Sequence, residues 1–415
     1  MSPLVVIVLI VLVDLLGFSI VMPLLAPFAK QYGLTGGQIG LLFAAYPMCQ
    51  LVAGPILGRL SDRYGRRPLL IVSQAGTALS FVVLGLSSNF TVMLLARMLD
   101  GFSGGNILVA QAYVADITTE ENRSRGLGLI GMAFGLGFVL GPFLGGLLLA
   151  LPIDPAWRLK VPFLVAALFS TIAWVLVLLR LPESLTRGSG PIQRARVVSW
   201  RGLVDTVSLP SVGRLVLLGG LVVLSFAALE GTYSLYLRGR FDWGPQKAAF
   251  GFAFLGLVSA VVQGGLIRRL VPKYGEPRLI VAGVATLAIG LGTLALASNG
   301  PMLLLATLIV GVGQGLASPT VSGLLSRLTP ADEQGSVFGV LSMAQTVARL
   351  ANYLAANLLL ARFGPAAPFW EGAAIALLGL AIALVVFRTT RVEDGIVSIL
   401  RGTKEFADSG PVRSR

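Results

Sequence analysis

Apolar residues run through this chain in long unbroken stretches, neither in the three-to-four-residue rhythm of a surface helix nor in the alternation of a strand. Twelve stretches stand out, near 4 to 28, 39 to 57, 69 to 88, 90 to 115, 126 to 150, 160 to 180, 213 to 237, 248 to 267, 279 to 298, 301 to 325, 336 to 360 and 368 to 388. Each approaches the roughly 20 residues that an α-helix needs to cross about 30 Å of hydrocarbon. The pattern predicts an all-α membrane protein with twelve transmembrane helices. The longest polar connection, 182 to 212, contains "ESLTRGSGPIQRARVVSWRG" and divides the spans six and six. The expected organisation is an N-terminal six-helix bundle over 1–181, a linker over 182–212, a C-terminal six-helix bundle over 213–390 and a tail over 391–415. In the tail, Val392, Ile396, Ile399 and Phe406 have the spacing of a short interfacial helix, although a plain solvated tail has the same composition. The first stretch lacks a basic leader and is too long for a signal-peptide core, so it reads as the first helix itself.

The two halves echo each other at an offset of 210 residues. That shift aligns Tyr64-Gly65 with Tyr274-Gly275, Arg59 with Arg269, Leu95-Ala96 with Leu305-Ala306, and Gly101 with Gly311. Parallel half repeats are a signature of transporters, which bind their cargo near the bilayer midplane where the repeats meet.

Composition agrees: 55% of residues are hydrophobic and 12% charged, with mean hydropathy +0.85, whereas soluble chains carry about 25% charged residues. The net charge of +13 needs a location before it can be interpreted. Of 32 Lys and Arg, 23 fall in the termini and even-numbered loops, 7 in the odd-numbered loops and 2 inside spans. The positive-inside rule therefore places both termini in the cytoplasm, as a multi-pass protein of the cell (inner) membrane. The basic excess is thus a topology signal, and no nucleic-acid partner is expected. A single cysteine, Cys49, and no histidine leave no conventional zinc or haem site, so no metal and no cofactor are expected. The metalloprotease pattern His-Glu-x-x-His is excluded outright, and an enzyme is not expected.

Ionisable side chains inside spans cost at least about 2.5 kcal/mol near a helix centre, which makes each a functional candidate. They are Asp14, Arg97, Asp100, Glu230 and Arg349. Asp14 lies about ten residues into the first span, too deep to snorkel, where a carboxyl suits the uptake and release of a proton. In the fourth span Arg97, Asp100, Gly104, Ile107 and Gln111 form one helical stripe; in the eleventh, Ser342, Gln345, Arg349 and Asn352 form another. Glu230, with Tyr233 three residues on, lies midway in the seventh. A shared cavity lined by Gln111, Glu230, Tyr233, Gln345, Arg349 and Asn352 is the economical reading. The alternative for Glu230 and Arg349 is a salt bridge internal to the second half.

The loop "GRLSDRYGRRP", residues 58 to 68, concentrates five charges in eleven positions. Gly58 removes a side chain where helix ends approach, Gly65 permits a tight turn and Pro68 suits a helix start. The acid Asp62 has no place in a pure orientation signal. The second-half copy, "IRRLVPKYGEP", puts Pro272 where Asp62 would fall.

This loop resembles the G-x-L-(S/A)-D-R-x-G-R-(K/R) signature of the major facilitator superfamily, matched here by Asp62, Arg63, Gly65, Arg66 and Arg67. The resemblance extends through "DLLGFSIVMPLL", "RMLDGFSGG" and "GLGFVLGPFLGG". The last is similar to the antiporter motif of twelve-span drug:proton exporters, carried by Gly135, Gly141, Pro142, Gly145 and Gly146. The glycines, Gly131 among them, would also serve close helix packing alone. The resemblance implies two pseudo-symmetric six-helix bundles and a monomer. It makes the loop a cytoplasmic gate, with Asp62 facing the helix that starts near Gly335 and Arg66 paired with Asp116, contacts that form when the protein opens outward and break when it opens inward. It also links Arg97 to proton handling. Asp100 stands where the motif more often has an uncharged polar residue, and Asp14, Asp100 and Arg97 together could compete for a proton; which acid carries it stays open.

The run from 14 to 146 resembles tetracycline-efflux and related multidrug proteins. Ser80, Ser259 and an apolar ninth span replace an acid, a His and an Asp of the tetracycline exporters, which speaks against a metal-chelated tetracycline. The expected function is proton-coupled export of a small amphiphilic organic compound or drug, of either charge, across the lipid bilayer. The alternative is a proton symporter or facilitator for a sugar or other metabolite.

Overall fold

The computed structural model describes residues 2–184, 210–329 and 334–408, and side chains up to residue 389. The linker expected over 182–212 and the tail side chains singled out above fall largely outside these. Twelve long helices carry the described chain. They are α1 (Pro3–Gln31), α2 (Gly36–Tyr64), α3 (Arg66–Leu86), α4 (Phe90–Ile117), α5 (Glu120–Ala150), α6 (Val161–Arg180), α7 (Pro210–Phe241), α8 (Pro245–Tyr274), α9 (Glu276–Leu296), α10 (Gly300–Leu328), α11 (Gln334–Phe363) and α12 (Ala367–Asp408). Eleven are long and apolar enough to cross a membrane; α11, at 30 residues, has the length but is too polar. Such a helix belongs against protein or a cavity, because lipid gives its Gln, Arg and Asn side chains no partner. The helices outreach the apolar runs, and α12 continues through the start of the expected tail to Asp408.

The 210-residue repeat is structural. Helices α3 and α9 start and stop at equivalent positions, each after a glycine of positive φ, Gly65 at 107° and Gly275 at 75°. Their successors begin with equivalent caps: Val92 N–H donates to Asn89 Oδ1 at 3.0 Å, and Met302 N–H to Asn299 Oδ1 at 2.9 Å. Two departures break the symmetry. Helix α4 is interrupted at Gly104–Gly105, and α8 carries a π-helical turn at Val262–Leu266 that α2 lacks.

The halves meet at one end only. At the far end, away from the 58–68 loop, α2 packs on α11 and α5 on α8. Gly36 and Gly40 let α2 approach so closely that an added Cβ would stand 2.8 Å from Asn357 O and from Tyr353 O respectively. Two prolines shape the rest of this seam. Pro27 has no N–H for Pro23 O, and the Ser234 hydroxyl of α7 donates to that carbonyl at 2.5 Å. Pro142 likewise frees Phe138 O, and Gly256 of α8 packs against it so closely that an added Cβ would stand 2.8 Å from that oxygen. Toward the basic end the same faces part: a Cβ on Gly135, Gly131 or Gly128 of α5, on Gly264 or Gly265 of α8, or on Gly58 of α2 would meet nothing within 4 Å. A cavity between the halves is sealed at the far end and open at the basic end.

Candidate functional site: a central cavity and its polar braces

The sealed end of the cavity is lined by Phe18 and Met22 of α1, Phe43, Tyr46, Pro47 and Gln50 of α2, Arg97 of α4, and Thr346, Arg349 and Tyr353 of α11. Aromatic rings dominate the wall, with Phe43 and Tyr353 in contact across the seam at 5.3 Å between centroids.

Behind this wall the acids are withdrawn. Asp14 is 7% exposed and lies inside the first bundle, where Gln74 Nε2 donates to Oδ1 at 2.5 Å, Asn106 Nδ2 to Oδ2 at 2.7 Å and Ser170 Oγ to Oδ1 at 3.3 Å. Helices α1, α3, α4 and α6 thus converge on one carboxyl. The break at Gly104–Gly105 restarts the helix so that Asn106 points at this carboxyl. It also ends the continuous stripe expected on α4: Gln111 is exposed and is not among the residues at the sealed end of the cavity. Arg97 and Asp100 form a buried pair at 2.6 Å, 2% and 3% exposed. The guanidinium also reaches Leu42 O at 3.4 Å and stacks over the Tyr46 ring at 5.0 Å. Asp14 shares no hydrogen bond or ion pair with this pair among the described residues, yet its charge acts on Asp100 through space, so the expected three-way competition takes the form of two buried sites coupled electrostatically.

In the second half, Arg349 Nε stands 3.2 Å from Glu230 Oε2, and the Tyr353 hydroxyl donates to the same oxygen at 3.0 Å. The salt bridge weighed as an alternative is present, and it borders the cavity: Arg349 is 42% exposed and Glu230 only 9%. The stripe expected on α11 divides. Gln345 faces α7 near Gly219, and Asn352 donates to Glu371 of α12 at 3.1 Å. The cavity face is Thr346, Arg349 and Tyr353 instead. Tyr233 also belongs elsewhere, buried among α7, α8 and α10 with its hydroxyl 3.2 Å from Thr307 Oγ1 and its ring on Phe252. Sequence reasoning passed over Tyr353, Asn106 and Glu371; their signal was polarity inside a span, of which only the charged Glu371 met the criterion applied.

At the basic end, Arg66 is buried and pairs with Asp62 at 2.6 Å and Asp116 at 3.0 Å, and its guanidinium donates to Ser61 Oγ. Glu183, just past α6, accepts from the backbone N–H groups of Arg66 and Arg67 at 2.9 and 3.2 Å, capping α3. Arg67 also donates to Leu178 O, while Arg63 lies exposed over the Tyr64 ring. Two expectations change. Among the described residues Asp62 pairs with Arg66 and with no residue of the second half, and the Arg66–Asp116 pair stands although this end is open. Gly58 makes no close approach in this conformation. The second half repeats the brace with its charges exchanged: Glu276, 210 positions after Arg66, pairs with Arg327 at 2.5 Å.

The antiporter-like run divides by face. Gly141 and Gly145 abut α1 at Ser19 and Leu24, Gly146 abuts Phe250 of α8, and Gly135 faces the open gap. Ser19 Oγ donates to Gly137 O at 2.7 Å, tying α1 to α5. Among the described residues no cluster of His, Cys, Asp or Glu could hold a metal ion.

The family model described as Major Facilitator Superfamily matches residues 7–352 and 266–409. Tetracycline resistance protein, class B, of Escherichia coli is 29% identical over 91% of this chain and 92% of its own length. Multidrug resistance protein 2 of Bacillus subtilis (strain 168) is 28% identical over 90% and 92%. Among solved structures, the human organic anion transporter MFSD10 (TETRAN) superposes with a TM-score of 0.67 at 27% identity, covering 92% of this chain and 98% of that one. Six-plus-six helices around one cavity, the repeat at 210 residues and a match over most of the length agree: the chain belongs to the major facilitator superfamily, and it is a multi-pass membrane transporter rather than an enzyme.

Proposed function

We propose that the protein exports a small amphiphilic organic compound in exchange for protons, by alternating access of its two bundles, from a cell (inner) membrane in which both termini are cytoplasmic. The observation that carries this reading is the aromatic cavity between the halves, sealed at the far end, with buried carboxyls behind its wall in both bundles. The excess of Lys and Arg at the basic end supports a cytoplasmic position for that end, and in this reading the cavity faces inward. Tetracycline and multidrug resistance proteins among the relatives support efflux of an organic compound. In this reading Asp14, Asp100 and Arg97 handle the proton: each acid has partners placed to respond when its charge changes, neutral donors at Asp14 and a guanidinium at Asp100. The Arg66 and Glu276 braces hold each bundle rigid while the bundles rock, and the protein works as a monomer.

The test is transport by purified protein in liposomes with an acidic lumen and a trapped pH dye, challenged with lipophilic cations, neutral drugs, organic anions and sugars. Proton efflux triggered by an amphiphile and lost in Asp14→Asn is the expected result. An amphiphile that equilibrates without moving protons would make the protein a facilitator and end the exchange reading.

A further inference from the structure

The charged groups around the cavity differ in how much of their hydrogen-bonding capacity the protein itself uses. Asp14 accepts from three neutral donors and Asp100 from Arg97. Glu230, 9% exposed, accepts from Tyr353. All three acids are buried, and none is among the residues lining the sealed end of the cavity. Arg97 is equally occupied, by Asp100, Leu42 O and the face of Tyr46. Arg349 is the exception. It borders the cavity with 42% of its side chain exposed, and although its Nε lies 3.2 Å from Glu230 Oε2, the alignment is not that of a hydrogen bond. Among the described residues its guanidinium, which carries five N–H donors, has no hydrogen-bonded acceptor.

A guanidinium in mid-membrane with its donors unmatched suits a planar anionic group, because a carboxylate or sulfonate can take two parallel N–H bonds from its fork. A cationic ligand would find no carboxylate presented to it. We infer that the cavity takes amphiphiles bearing a carboxylate or similar anionic group, seated on Arg349, with the flat apolar body against Phe18, Phe43 and Tyr46. This deepens the transport reading, on which it rests for the identity of the cavity as the substrate site. Glu230 and Tyr353 act as positioning residues that hold the guanidinium at the wall.

The experiment is binding to the full chain in nanodiscs, without any gradient, of three probes that share one fluorophore: dansyl-glycine, its neutral amide and dansyl-cadaverine, a cation. Dansyl-glycine is expected to bind at least about tenfold more tightly than the amide, the scale of a paired charge-assisted hydrogen bond. Arg349→Gln should erase that difference, while Arg349→Lys, which keeps the charge but loses the fork, should retain part of it. Gel filtration and thermal melting check that both variants fold. Equal binding of the three probes, tightest binding of the cation, no binding of dansyl-glycine, or selectivity unchanged in Arg349→Gln would each overturn the inference. Anion selectivity in a protein that moves no protons would remove the exchange mechanism alone; proton exchange without anion selectivity would remove this inference alone.

Discussion

Replacing Gly40 with alanine should tip the balance between the two open ends. In the sealed conformation the new Cβ would stand 2.8 Å from Tyr353 O, 3.2 Å from Asn357 Cβ and 3.4 Å from Leu354 Cα. Two of these atoms are backbone and cannot rotate away, so α2 and α11 must separate by about 0.6 Å to reach ordinary contact. Overpacking of this kind costs typically about 1–3 kcal/mol, and it acts only while the seam is closed. The conformation open at the far end should therefore gain about 5-fold to 150-fold in relative population. Asn357 is fully buried at this seam, and the native Cys49 is buried too. In a Cys49→Ala, Asn357→Cys background, a membrane-impermeant maleimide applied from the far side should label faster in Gly40→Ala by that factor. Gly58→Ala, at a site where a Cβ meets nothing within 4 Å, is the matched control. Unchanged labelling in Gly40→Ala, or an equal rise in Gly58→Ala, would refute the argument that the seam is set by these close approaches.

The braces at the basic end should differ sharply in weight. Truncating Arg66 to alanine removes a buried guanidinium that ties Ser61 to Asp116 and leaves Asp116 with Ser184 alone; it should lower stability by about 1.5–3 kcal/mol, read as a fall in the melting temperature of purified protein, whereas Asp62→Ala, whose side chain is 57% exposed, should cost under about 1 kcal/mol. Exchanging the second brace as Glu276→Arg with Arg327→Glu should restore most of the melting temperature that either single change removes. Within the antiporter-like run, Gly135→Ala should transport normally and Gly141→Ala should not, because only the latter drives a Cβ into Ser19; equal effects in a transport assay would dissolve that distinction. At Asp14, asparagine should preserve the fold while abolishing proton-coupled movement, and leucine should also lower the melting temperature by leaving Gln74, Asn106 and Ser170 without their acceptor.

Much of this was legible from residues alone. Length and continuity of apolar runs gave the helices, since hydrocarbon thickness fixes how long a span must be, and the repeat gave the two bundles. Glu230 with Arg349 was recognisable as a pair because buried charges need partners, while Arg66 with Asp116 came from the resemblance of the loop. What stayed hidden was direction. The stripe on α4 assumed an unbroken helix, and the break at Gly104–Gly105 leaves Asn106 turned toward Asp14. On α11 the four polar residues were read as one face, yet Gln345 and Asn352 turn to α7 and α12, leaving Thr346, Arg349 and Tyr353 at the cavity. Glu276 was in plain view at the register of Arg66, but a search for a second acid at Asp62's position passes over a brace whose signs are reversed. Pairing of Pro27 with Ser234, or Pro142 with Gly256, cannot be anticipated at all, because it depends on which carbonyl the opposite bundle happens to face.

Those carbonyls bear on how the protein answers to its surroundings on each side of the membrane. Among the described residues no ion pair joins one half to the other; the far-end seam is glycine, ring and carbonyl, with the Ser234 hydroxyl and the Asn357 amide as uncharged polar groups. Dissolved ions find no ion pair across that seam to screen. The basic end is dense with like charge carried on two bodies that must come together when it closes, and at physiological ionic strength the Debye length is about 8 Å, short enough to blunt that repulsion. Electrolyte on the basic side thus eases closure of that end more than electrolyte on the other side, where 7 Lys and Arg stand against 23, shifts the seam: the molecule senses ionic strength chiefly from one face.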